Sequence, residues 1–130
     1  MLSKICRKVK ELGIKIDYIE MEDNGHFGIF NNLPIILINQ NLNKLDTSLT
    51  ILHETAHFLN GDCDKYISNH FQNDNLEFEA NKYMIREVLK MLDEKYDFTT
   101  DTNYQQIINS LNLPYHLDGF IIDEFNSIIS

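Results

Sequence analysis

Apolar residues at the start of the chain fall at helical spacing. Leu2, Ile5, Cys6, Val9 and Leu12 share one helix face, and Gly13 supplies the stop. The period then shortens. From Ile14 to Met21 the pattern alternates, with Ile14, Ile16 and Tyr18 on one face, before Asp23-Asn24-Gly25 signals a turn. Gly25 to Phe30 and Pro34 to Gln40 read as two further strands joined through Asn31-Asn32. The run Pro34-Ile-Ile-Leu-Ile38 marks the better-buried of the two. Together the three strands predict a small antiparallel meander.

Beyond residue 45 the helical period returns. Asp46 suits an N-cap, and Asn60-Gly61 allows a left-handed backbone at the far end, which bounds a helix at about 47–60. A polar connection, Asp62 to Asn75, follows, with Tyr66, Ile67 and Phe71 as anchors. Leu76 to Lys95 is a further helix, to which Phe78, Met84, Ile85, Val88, Leu89 and Leu92 bring apolar contacts. Asp101 is placed to cap a shorter helix through Leu111. Asn112-Leu113-Pro114 breaks it, and Leu117 to Ile129 forms the last. The fold class is therefore α+β: a three-stranded meander packed against two long helices, with a helical C-terminal tail.

With 130 residues and 43% hydrophobic content, the chain suits one domain over 1–130, its core at about 14–95 and a helical extension at about 101–130. The N-terminus has no charged, apolar and small-residue succession, and no apolar run is long enough to span a bilayer. A cytoplasmic protein without a membrane segment is expected. Cys6 and Cys63 lie in different segments without CxxC spacing and read as reduced thiols.

The net charge of −9 is unevenly spread. Residues 1–15 hold Lys4, Arg7, Lys8, Lys10 and Lys15 against Glu11, and from Tyr96 onward there is no Lys or Arg. Phosphate binding needs cations, so direct nucleic-acid binding is disfavoured, including a helix-turn-helix reading of the acidic tail. The basic start reads as a solvated helix face.

The candidate chemistry lies in Thr50-Ile-Leu-His53-Glu54-Thr-Ala-His57-Phe-Leu59. Residues four apart on a helix stand one above the other, so His53 and His57 aim two imidazole nitrogens at one point. Glu54 is turned about 100° round the helix, near the metal but suited to handling water as a general base. This is the His-Glu-x-x-His arrangement of zinc peptidases, and two imidazoles among uncharged neighbours call for a partner such as zinc.

A third ligand is needed. Straight after the helix, the position six beyond His57 is Cys63, and the glycine such a turn requires is displaced from Asn60 to Gly61. On the later helix, Glu77-Phe-Glu79-Ala80-Asn81 offers a carboxylate. Glu77, Ala80, Asn81 and Met84 share one face, with small Ala80 permitting close helix approach and Asn81 available as a supporting hydrogen-bonding group; Glu79 points elsewhere. Tyr66, His70, Tyr115 and His116 are the residue types available for an oxyanion donor, and none is singled out. His26, on the second strand, reads as a surface residue.

His53-Glu54-Thr-Ala-His57, Glu77-x-x-Ala80-Asn81-x-Tyr83, and strands before two ligand-bearing helices together resemble the ImmA/IrrE metallopeptidases, which include small proteins of phages and mobile elements. The resemblance covers roughly residues 14–95. It departs at Tyr83-Met84 and Val88-Leu89-Lys90-Met91, where the family has Phe-Ala and a proline-ended Leu-Leu-Met-Pro. It implies a zincin-like domain with His53, His57 and Glu77 as zinc ligands, Glu54 as catalytic base, and a helix-turn-helix repressor as protein substrate. The alternative from another class is a zinc-stabilised module that sequesters a repressor without cutting it, for which Glu54 has no use.

Overall fold

The computed structural model describes residues 1–61, 73–113 and 117–130. The chain divides into two compact units, Met1–Met84 and Ile85–Ser130.

The first unit opens with α1 (Leu2–Glu11), whose Ile5 and Val9 are fully buried; Gly13 takes φ +83°, the left-handed stop that its position predicts. Three strands follow: β1 (Lys15–Ile19), β2 (Gly25–Phe30) and β3 (Leu33–Asn39). Asn31 and Asn32, both at positive φ, form the two-residue turn between β2 and β3, and the register closes with Phe30 opposite Leu33.

The α+β class holds, and β2–β3 is antiparallel as expected. The meander is corrected at β1. The strand order is β1-β3-β2, and β1 runs parallel to β3, from Lys15 opposite Ile35 to Ile19 opposite Asn39. The most apolar strand thus takes the centre, where both backbone edges are paired and Ile36 and Ile38 are wholly buried. The polar link at residues 20–24 steps across the end of β3 instead of folding into a hairpin. The Asn39 amide donates to the Asn24 carbonyl, and the Gln40 amide to the Ile19 carbonyl, each at 2.9 Å.

Helix α2 (Lys44–Leu59) begins earlier than Asp46 suggests. Asn43 is the N-cap, its side-chain oxygen accepting the Asp46 amide at 2.7 Å. Both residues are good caps by type, but a cap bonds the amide three positions on. Asp46 is that third residue, and its carboxylate complements the positive helix end. At the other end Gly61 adopts φ +65°, as Asn60-Gly61 predicts. The next helix is α3 (Asn73–Tyr96), whose Ala80 and Met84 are buried.

In the second unit, Ile85, Val88 and Leu89 of α3 are buried, as are Ile108 and Leu111 of α4 (Tyr104–Leu111) and Ile121 and Phe125 of α5 (Asp118–Ile129). The Phe98 and Phe125 rings lie 5.1 Å apart, and Arg86 Nε meets Glu124 Oε1 at 3.0 Å. Asn103 replaces Asp101 as the cap of α4, accepting from the Gln106 amide at 3.2 Å. Asp101 is held in the preceding turn, its amide donating to Thr99 Oγ1. No helix among the described residues is long and apolar enough to cross a membrane.

Candidate metal centre

The centre is set by how α2 is held. Its residues from Thr47 to Leu49, Ile51, Leu52 and Glu54 to His57 are buried, so the helix cannot rotate without exposing apolar surface. Strand β2 lies along it. A Cβ added at Gly25 would stand 2.6 Å from Thr50 Cγ2, and the Phe27 and Phe58 rings meet edge to face at 5.7 Å. These contacts bracket His53, Glu54 and His57 on α2.

The predicted histidine pairing is present. The two rings stand 4.8 Å apart at 84°, with their Nε2 atoms 3.2 Å from each other. Glu77, in the first turns of α3, brings Oε2 to 2.7 Å from His53 Nε2 and Oε1 to 3.1 Å from His57 Nε2. Glu79 faces away and pairs with Lys82 at 3.2 Å. His57, His53 and Glu77 therefore form a candidate metal-binding triad, the ligand atoms all within 4.8 Å of one another. Neighbouring ligands of a tetrahedral zinc with bonds of about 2.0–2.1 Å stand roughly 3.3 Å apart. The 2.7 Å between His53 Nε2 and Glu77 Oε2 is a hydrogen-bond distance that an ion would have to widen, but the 3.2 and 3.1 Å separations fit such an ion. So does the donor set, two imidazoles and a carboxylate.

The Glu77 side chain is 45% exposed and that of His57 4%, so the triad runs from a buried ligand to an accessible one. Glu54 is buried beside it, and burial raises its carboxyl above the usual carboxylate range. The nearby His57 and His53 charges oppose that shift, Glu77 adds to it, and His26 opposes it. Thr55 Oγ1 donates to the Ile51 carbonyl at 2.7 Å, satisfying a buried hydroxyl within the helix.

His26 is exposed on β2, as the sequence suggests, yet its charge reaches Glu54. No spacing signal could connect two residues on elements so far apart in sequence. Tyr66, His70, Tyr115, His116 and Cys63 lie outside the described residues.

Residues 9–107 match the peptidase M78 family, described as the IrrE N-terminal-like domain. The chain belongs to this family. Membership supports a metallopeptidase-type function, consistent with the family likeness already seen in its motifs, and the His53, His57 and Glu77 triad gives that function a candidate metal site. No curated protein and no solved structure matches the chain at a significant level.

Proposed function

We propose that this family member is a zinc-dependent endopeptidase that cleaves a helix-turn-helix repressor of a phage or mobile element. The observation that carries the reading is a buried carboxylate, Glu54, beside a triad whose Glu77 ligand is accessible. His53, His57 and Glu77 would hold the zinc, which supplies Lewis acidity and makes water a usable nucleophile near neutral pH.

Glu54 takes the proton of the attacking water and returns it to the leaving amine. Its raised pKa suits both halves, since a strongly acidic carboxylate would be a poor base and a poor reservoir for the proton. His57, buried, would hold the metal from α2 together with His53, and Glu77 would complete the donor set from a second helix. Among the described residues β2 pairs with β3 alone, and its other backbone edge would accept an extended substrate segment.

Glu54→Gln tests the reading. It should keep the metal, the fold and repressor affinity while cleavage falls by about 10²–10⁴-fold in a gel assay. Repressor inactivation in cells by Glu54→Gln at the wild-type level, with the repressor still full length, would sink proteolysis and favour sequestration.

A further inference from the structure

The basic start of the chain borders a groove that the metal centre does not use. In a chain of net charge −9, residues 1–15 hold five basic side chains against one acidic. Folded, they form α1 and the beginning of β1, which with Leu33 enclose a groove of about 590 Å³. Ile14, Ile16 and Leu33 supply an apolar lining, and Lys10 and Lys15 stand at its rim from opposite elements. Arg7 is exposed one turn from Lys10. Lys15 shares its charge with Asp17 at 3.7 Å, an exposed pairing that a stronger partner can replace.

We propose that this groove docks an acidic segment of a protein partner, with one apolar side chain of that segment seated on the lining and its carboxylates meeting Lys10 and Lys15. Charge complementarity selects the occupant. The rest of the chain carries 19 acidic side chains against six basic, so on balance it repels an acidic partner that this face attracts. The centre of the apolar stripe of α1 is taken up, because Ile5 and Val9 are buried. What remains accessible on the helix, Leu2, Cys6 and Leu12, is too little for an apolar face that inserts into a lipid surface. Nucleic acid needs many cations along a backbone, whereas two or three beside an apolar recess fit a short peptide with a single anchor. Docking here goes beyond peptide hydrolysis and requires neither metal nor Glu54.

The test is fluorescence anisotropy of the full chain with a labelled peptide of Asp and Glu residues around one Phe. Saturable binding is expected, weakening at least about tenfold when the Phe becomes Ser, and by a similar factor in Lys10→Glu/Lys15→Glu. Thermal melts check that the variant folds; Lys10→Met/Lys15→Met, which removes charge without reversing it, should lie between the two. Amide resonances of Cys6, Lys10 and Tyr18 should shift on binding. Absent binding, binding indifferent to the lysines, shifts confined to other residues, or tighter capture of an oligonucleotide, a phosphatidylserine vesicle or a second copy of the chain would overturn the proposal. Since the readout needs no cleavage, its failure and that of the peptidase reading are separable.

Discussion

At the scale of single residues, the centre holds a carboxylate where water would ordinarily be preferred to protein. Burial lifts the pKa of Glu54 above its unfolded value, so the folded state binds more proton between those two values. Any stability Glu54 lends is present below the unfolded value, near pH 4, and is lost as pH rises through the folded one. In metal-free protein, Glu54→Gln should therefore melt higher than wild type at pH 7, with the gap closing towards about pH 4. Melting curves in chelator that show an equal gap at both pH values would mean that desolvation is not what governs Glu54. Ligand roles separate as cleanly. Glu77→Ala and His57→Ala should each weaken zinc binding by more than the roughly 10–100-fold that follows loss of a supporting residue, while Glu79→Ala should retain the metal through dialysis. Metal analysis showing zinc lost from Glu79→Ala and kept in Glu77→Ala would reverse the assignment.

At the scale of elements, two local features aim the motif helix. Asn43 caps α2, and Asn43→Ala should cost about 1 kcal/mol, whereas Asp46→Ala gives up only a first-turn charge worth roughly 0.3–1 kcal/mol. Urea melts of the two variants rank them; a larger loss for Asp46→Ala would restore it as the cap. At Gly25, an added Cβ meets Thr50 Cγ2 at 2.6 Å and the Leu37 carbonyl oxygen at 2.9 Å. Gly25→Ala should therefore cost about 1–3 kcal/mol. Adding Thr50→Ser should restore only part of it, because the backbone contact remains. Full rescue by Thr50→Ser would show that Leu37 yields freely.

What was legible in the chain follows from the range of the forces involved. The four-residue histidine spacing, the Asn31-Asn32 turn and the Gly13 and Gly61 stops are local, and each stands in the structure where its pattern places it. The partner of β1 was not legible. Strand order depends on which strand gains most by being paired on both edges, and alternation along β1 says nothing of its neighbour. Asn43 and Asp46 compete as caps through the same chemistry, so only the backbone decides. Thr50 against Gly25 and the reach of His26 to Glu54 join residues more than twenty positions apart with no shared period, and pattern has no purchase there.

At the scale of the whole molecule, 20 acidic side chains against 11 basic ones make the surface attractive to any divalent cation, so a rise in stability with added metal is not by itself evidence of a site. Selectivity separates the two effects. Imidazole donors favour zinc, whereas exposed carboxylates serve calcium at least as well. A ligand that binds only the folded state adds about 2.7 kcal/mol at a hundred times its Kd, which for a chain of this size raises Tm by on the order of 10 °C. Zinc should produce that shift in wild type and in Glu54→Gln. Calcium at the same concentration should produce much less, and His57→Ala should lose the zinc response while keeping the small calcium one. Equal shifts from both cations in wild type, unchanged by His57→Ala, would mean that the metal acts on the acidic surface and that the three converging side chains are held together by their own hydrogen bonds alone.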